Sequence, residues 1–365
     1  MSTADIIVIG GGIAGISAAA ELAARADVLV LEGEAAPGYH ATGRSAAVFI
    51  RNYGNAVLRV LSGLSEPVLA DPGELADGPL LKPRGELMIA TEAELPLLDA
   101  YAEGATGLER ITGAQAGALC PLLRPGHVAA ALYEPGAQDI DVDRLLQGYL
   151  RRLKARGGRV QCRAPVSAIL RQSDGWRITA GGRAYSAPLI VNAAGGWADS
   201  VARMAGAVPL SLVPLRRSAV LVPLPDGIDA AAWPVVVSAP ETWYAKPDAG
   251  MLMVSPADAD PVEPHDAWPE DIVIAEGLDR FQQAMALEVT RVGRSWAGLR
   301  TFAPDRTPVV GHDPQVPGFF WLAGQGGYGV QTAPALAQLA AALVTGGDTA
   351  PYAGTPAALS PARFH

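Results

Sequence analysis

Four consecutive aliphatic residues, Ile6, Ile7, Val8 and Ile9, lead into glycines at 10, 11 and 12, then small and apolar residues to position 25, then Val28, Leu29, Val30 and Leu31. Apolar runs without alternation mark strands covered on both faces. The pattern predicts strand, glycine turn, helix over about residues 12–25, and strand. Helical spacing recurs over 58–69 and over 141–156, where Leu145, Leu146, Tyr149, Leu150 and Leu153 share a face and Asp141 is the expected cap. Residues 85–90, 159–162, 166–171 and 175–180 read as short strands, the last two joined at Ser173-Asp-Gly175. A buried strand ends at about Asn192, passes through small residues and opens a helix over 197–205. Strands follow over 210–224 and 243–255, with Trp233-Pro and Lys246-Pro-Asp-Ala-Gly250 as loops, then a helix over 277–287. A last strand from 318, a glycine loop over 324–329 and a helix over 333–344 precede a Pro/Ala-rich, loosely ordered tail from 349.

The first of these units carries the most specific chemistry. Gly10 permits a tight turn, Gly12 lets the backbone approach a pyrophosphate, and Gly15 lets the helix lie close to the strand. The first-turn N–H groups, through Ile13 and Ala14, then point at phosphate. Glu32, about 20 residues beyond the glycines, is placed to accept the hydroxyls of a ribose and disfavours a 2′-phosphate. A second small-residue loop, Gly38-Tyr-His-Ala-Thr-Gly-Arg-Ser-Ala-Ala47, follows at once and favours FAD over NAD; within it Thr42, Arg44, Ser45 and Ala46 are the expected contacts. Ala194, Gly195 and Trp197 mark a strand end against the nucleotide, an ordinary strand–helix turn being the alternative. Gly326, Gly327, Gly329, Gln331 and Thr332 precede a helix N-terminus that would face the part of the flavin where charge accumulates on reduction.

Composition narrows the partners. A length of 365 residues implies two lobes, with the chain passing between them more than once. With 28 Lys plus Arg against 37 Asp plus Glu, the net charge of −9 argues against nucleic acid and anionic membrane surfaces. Cys120 and Cys162 lack metal or disulfide spacing, so no metal site is expected and both are read as reduced and buried. The chain starts without a basic leader, which predicts the cytoplasm. Its longest apolar run, 335–344, falls short of the roughly 20 residues a bilayer needs, so no integral membrane segment is expected. A monomer or small homo-oligomer is expected.

These segments, in this order, resemble the flavoenzyme superfamily of D-amino-acid oxidase, glycine oxidase and sarcosine oxidase. Residues 37–47, 214–219, 243–251, 255–262, 296–300 and 324–332 resemble most the bacterial FAD-dependent D-arginine dehydrogenases. The resemblance implies an α/β chain: a Rossmann-like (βαβ) FAD-binding domain over 1–75, 145–208 and 303–365, and a substrate domain with a mixed, largely antiparallel sheet over 76–144 and 209–302. Where sarcosine-oxidase-like members carry a Cys for covalent flavin, this chain has Thr301-Phe-Ala-Pro-Asp305, so FAD is expected to be non-covalent.

The implied activity is oxidative deamination of D-amino acids. A hydride passes from the α-carbon to flavin N5, and the imino acid hydrolyses to a 2-oxo acid and ammonia. An arginine fork suits the substrate carboxylate, and Arg217 and Arg300 are the candidates. Strand alternation lets only one of Arg216 and Arg217 face the site. Tyr53 and Tyr244 could add hydroxyl donors. By resemblance these four form the carboxylate site, while Gly327 and Gln331 contact substrate amine and flavin. Resemblance also sets Glu86 against a cationic side chain; a solvated edge-strand carboxylate is the alternative. Val48 replaces a His of the D-arginine dehydrogenases and makes the pocket more apolar, so basic or apolar side chains remain open. None of the five histidines is assigned to catalysis. Oxidases of the family carry a Lys over the flavin; Leu252 is expected in its place, with Lys246 as another possible cation. A dehydrogenase passing electrons to a quinone or similar acceptor is therefore expected, an oxygen-using glycine or sarcosine oxidase being the rival and a flavin-binding protein without turnover a remoter one.

Overall fold

The computed structural model describes residues 2–365. Among these, two large sheets dominate. A six-stranded sheet runs in the order Arg159–Gln161, Val28–Leu31, Ile6–Ile9, Leu189–Asn192, Phe319–Ala323, Val309–His312. All its pairings are parallel except the last. Its central strands are buried residue by residue, as their unbroken apolar runs require. One face is covered by the helices Ile13–Leu22, Val142–Ala155 and Ala333–Thr345, the other by a small four-stranded sheet and the helix Ala198–Ala205.

The glycine turn has its predicted shape. Gly10 sits at φ +108°, where a side chain would also strike the Ala193 carbonyl. A Cβ on Gly15 would collide with the Gly10 carbonyl, which is why helix and strand approach so closely. Asp141 caps its helix by accepting from Arg144 N at 3.0 Å. Arg152 and Arg156 of that helix both bind Glu21, locking it to the first helix.

The eight-stranded sheet runs Ser295–Phe302, Val213–Pro223, Met251–Ser255, Tyr244–Asp248, Val235–Ser238, Glu86–Ala90, Ala130–Glu134, Glu109–Thr112. It is mixed but largely antiparallel: only Val235–Ser238 and Glu86–Ala90 run parallel. One face packs on the helix Asp271–Ala284 and a core including Phe281, Trp233 and Trp243. The opposite face looks toward the nucleotide-type sheet.

Several expectations need correction. The helix expected over 277–287 is Asp271–Ala284. Beyond Ala284 the chain is extended, because Met285 pairs with Leu123. Lys246 and Pro247 belong to a strand, the turn being Ala249–Gly250, where both residues have positive φ. The strand Val235–Ser238 was not anticipated. The tail is ordered: Tyr352 and Leu359 are buried, and Arg363 pairs with Asp305 at 2.8 Å. Cys120 is buried but Cys162 is only partly so.

Candidate active site

A cleft of ≈ 450 Å³ lies between the two sheets, at the carboxyl ends of the strands Ile6–Ile9 and Val28–Leu31. Gly10, Gly12, Ile13, Ala14 and Glu32 line one end. Thr42, Arg44, Ser45 and Ala46 line it with Ala194, Gly195, Trp197, Gly326, Gly327 and Gly329. Gly12 caps the first helix without a side chain, leaving its N-terminus open toward the cleft, while Thr42 Oγ1 accepts from Ile13 N at 3.0 Å. Glu32 accepts from Gly11 N at 2.6 Å and from Glu34 N at 2.8 Å, which fixes its carboxylate at the strand end and leaves lone pairs for ribose hydroxyls.

The guanidinium of Arg44 turns outward. It donates to the carbonyls of Ala267 and Ala297, each at 2.9 Å, and pairs with Asp266, whose carboxyl the arginine's hydrogen bond holds below its ordinary range. What Arg44 offers the cleft is its stem, and its charge straps the small-residue loop to the eight-stranded sheet. Thr332 does not reach the cleft: its hydroxyl donates to the Tyr328 carbonyl at 2.8 Å within the loop. Gln331 is likewise engaged, donating to Ile50 O and Ser62 Oγ and accepting from Ile50 N, so it holds the loop in place.

The inner face of the eight-stranded sheet carries the second half of the site. Tyr53, Arg217, Tyr244, Arg300, Val48, Glu86, Gly327 and Gln331 all line one pocket of ≈ 90 Å³ that adjoins the cleft. Strand register explains the grouping, since Arg217 lies opposite Gly298, two pairs along from Leu215 opposite Arg300, so both arginines fall on one face. Alternation sends Arg216 the other way, where Asp258, Asp260 and Glu270 surround it. Arg217 instead donates from Nε to the Asp258 carbonyl at 2.7 Å and lies over the Tyr244 ring.

Neither Arg217 nor Arg300 has a carboxylate partner among the described residues. Burial and the neighbouring Arg300 charge together pull the Arg217 pKa down, whereas for Arg300 burial, which lowers it, is outweighed by Tyr53 and Tyr244, which raise it. The Tyr244 hydroxyl is lowered on balance: burial raises it, but Arg300 and Arg217 outweigh burial.

At the pocket's other end Glu86 is buried in a central strand rather than solvated at an edge. Burial first, then the Glu134 and Glu241 charges, push its carboxyl up to about 8. Glu134 lies opposite it across the strands but is occupied, accepting from Arg51 N at 2.8 Å and Asn52 Nδ2 at 2.7 Å. That pair of bonds holds the segment that presents Tyr53.

Leu252 is not the residue that faces the cleft. It packs in the core against the far face, and Met253 lines the cleft instead. Lys246 is withheld by Asp139 at 2.9 Å and by the Ala46 carbonyl at 2.8 Å. Tyr328, packed against Tyr53 with ring centroids 4.6 Å apart and the rings tilted by 53°, was not anticipated although it lies inside the recognised Gly-rich loop. Glu134 and Met253 are brought to the site by strand register, Tyr101 by the helix Leu95–Ala102 and Glu241 by the loop before Tyr244, none of which a local motif announces. No group of three or more His, Cys, Asp or Glu among the described residues is arranged to hold a metal.

The residues of the cleft fit FAD. The glycine turn, open helix N-terminus and Glu32 supply pyrophosphate and ribose contacts, and Gln325 Nε2, on the cleft wall, is buried without a partner. Fold and site therefore define a dinucleotide-binding oxidoreductase. The chain belongs to the FAD dependent oxidoreductase (DAO) family, which matches residues 5–343. Human mitochondrial dimethylglycine dehydrogenase is 27% identical over 230 residues, covering 58% of this chain and 26% of that protein. The chain thus spans about a quarter of the length of that relative. Among solved structures, glycine oxidase from Geobacillus kaustophilus has TM-score 0.83 at 23% identity, covering 96% of each chain. L-proline dehydrogenase from P. horikoshii has TM-score 0.83 at 22% identity, covering 98% of this chain and 99% of that one. The protein is an FAD-dependent oxidoreductase of α/β fold with mixed sheets.

Proposed function

We propose that the protein is a D-amino-acid dehydrogenase that oxidises the bond between the α-carbon and the amino nitrogen of a free amino acid. The observation that carries this reading is the pair Arg217 and Arg300, two enclosed guanidiniums without an anion, at the junction of pocket and cleft. A bidentate carboxylate meets that need, and the hydroxyls of Tyr53 and Tyr244 flank the same space. Dimethylglycine, glycine and L-proline, for which the relatives are named, all carry such a carboxylate.

FAD, when bound, supplies the two-electron oxidation that converts amine to imine, and water then releases a 2-oxo acid and ammonia. The chain's own contribution is orientation. Fixing the carboxylate fixes the α-carbon relative to the cleft, which is where most of the rate advantage of such a site resides. Glu86 lies at the far end of the pocket from the arginines, where a side chain ends, and favours basic groups once ionised. The D configuration and the preference for basic side chains rest on the likeness of residues 37–47, 243–251 and 296–300 to the D-arginine dehydrogenases. The apolar Met253 at the cleft supports a dehydrogenase handing electrons to a quinone or similar acceptor. The pocket's small volume of ≈ 90 Å³ favours a second reading, an oxidase of glycine or a small secondary amine.

Anaerobic mixing with D-amino acids, L-amino acids, glycine and sarcosine separates these. Bleaching of the flavin by D-amino acids, fastest with D-Arg or D-Lys at pH 9, is expected. Bleaching only by L-amino acids or by sarcosine would overturn the proposal, and a flavin that no amine bleaches would end the enzymatic reading.

A further inference from the structure

A second chamber, ≈ 330 Å³, opens beside the inner pocket. Arg217, Arg300, Tyr53 and Tyr328 stand on its wall, and none of the glycine turns of the flavin cleft does. Four residues bordering it, Ala100, Glu241, Ala259 and Arg306, are exposed, so it reaches the surface. Tyr53, Tyr101, Arg217, Glu241 and Arg300 line both this chamber and the inner pocket. A route thus runs from solvent to the paired guanidiniums without crossing the flavin cleft.

Its two outer arginines have no acid paired with them among the described residues. Arg59 donates from Nε to the Gly54 carbonyl at 3.1 Å, and Arg306 lies 5.0 Å from the Phe302 ring centroid. Neither has a carboxylate partner among the described residues, and Asp258, the one buried acid nearby, is taken by Arg216 and Ser218. Arg306 and Glu241 both hold left-handed backbone, at φ 57° and 51°. A non-glycine residue adopts this at a cost that the surrounding structure must sustain. The Tyr101 hydroxyl, where chamber and pocket meet, is buried with no hydrogen-bond partner.

We propose that this chamber is the substrate's way in, and that Arg59 and Arg306 form an outer docking point for its carboxylate before transfer to Arg217 and Arg300. The inference rests on the reading of the substrate as an amino acid. A chain of net charge −9 repels an approaching carboxylate at long range, whereas four guanidiniums in a walled opening create a local field of the opposite sign. Glu241 offers the amino group of the same zwitterion a counter-charge. Tyr101 gives the passing ligand a donor.

The test uses the FAD-loaded protein and benzoate, followed by flavin difference absorbance in a stopped-flow instrument. Arg306→Gln and Arg59→Gln should each slow benzoate association by about 3- to 10-fold at low salt, leaving dissociation unchanged. The deficit should fade above roughly 0.15 M ionic strength, where screening acts within about 8 Å. Arg306→Glu should slow association further; Arg306 is exposed, so its variants are expected to fold, which thermal melting checks. The rate of flavin reduction at saturating amino acid should stay at the wild-type value. Unchanged association at low salt, or an equal deficit at high salt, would overturn the proposal. If benzoate behaves as expected but no amino acid reduces the flavin, the functional reading fails and the chamber stands. If amino acids reduce the flavin and association ignores both substitutions, the chamber fails and the function stands.

Discussion

Two adjacent arginines with opposite fates show how much a single residue's environment decides. Arg216 is neutralised by three acids, whereas Arg217 and Arg300 wait with none. Removing Arg300 would leave a desolvated carboxylate half paired, at a cost of about 2–5 kcal/mol. Arg300→Met should therefore lower kcat/KM at least about 30-fold while the flavin spectrum of the purified protein is unchanged. Wild-type kinetics in that variant would remove Arg300 from the site. The sequence narrows the inward arginine to one of two by alternation, but the deciding acids lie 42 to 54 residues away. No local pattern encodes such a cage.

Glu86 makes a second residue-scale argument. Its carboxyl, pushed up to about 8 by burial, is largely neutral at pH 7 and becomes a full partner for a cation only as pH rises. The ratio of kcat/KM for D-Arg to that for D-Leu should rise between about pH 6 and 9, and Glu86→Gln should flatten it. The stability effect has the opposite sign. A raised folded-state pKa means the folded protein binds this proton more tightly, so its contribution is complete below about 4.5 and is lost as pH climbs through about 8. The melting temperature of wild type relative to Glu86→Gln should fall over that window; a constant difference would mean Glu86 titrates normally.

At the scale of elements, strand register decides which chemistry reaches the flavin. The run Met251–Ser255 shows apolar residues at four successive positions, so hydrophobic pattern leaves open which of them turns inward. The turn at Ala249–Gly250 sets the pairing: Met253 falls opposite Lys246 and Leu252 opposite Pro247. Met253 faces the cleft and Leu252 the core. The glycine turn and the capped helix Val142–Ala155 were legible because local chemistry specifies them, whereas Val235–Ser238, too short to stand out beside the Trp233-Pro loop, takes its place by pairing with Tyr244–Asp248 on one side and the distant Glu86–Ala90 on the other. An apolar Met253 gives no electrostatic help to a developing oxygen anion. Reduced enzyme mixed with air-saturated buffer should reoxidise far more slowly than it turns over with a phenazine dye. Met253→Lys should speed reoxidation at least about 10-fold by the same electrostatic argument. Leu252→Lys should leave reoxidation unchanged and lower the melting temperature, because it buries a charge in the core. Fast wild-type reoxidation would make the protein an oxidase.

Across the whole molecule, the flavin cleft is built by both sheets and closed by one strap. Arg44 leaves the small-residue loop to bind Asp266 and two carbonyls of the opposite lobe. Cleft-lining residues come from near the N-terminus, from around 194, 298 and 325, so FAD joins segments that are far apart in sequence. A ligand that binds only the folded chain stabilises it by about 2.7 kcal/mol at 100 times its Kd. Its release should therefore lower the melting temperature, and added FAD should restore it, rising with the logarithm of FAD concentration above Kd. Neither Cys120 nor Cys162 lines the cleft, and no cysteine follows Arg300, so nothing on the chain offers a thiol to the flavin ring. Acid precipitation should leave a colourless pellet and a yellow supernatant. Arg44→Ala should weaken FAD retention and lower the melting temperature of the FAD-loaded form more than that of the FAD-free form, since the strap closes the loop that the cofactor touches. A yellow pellet would show a covalent bond to some other side chain, and equal destabilisation of both forms would show that Arg44 braces the lobes without regard to FAD.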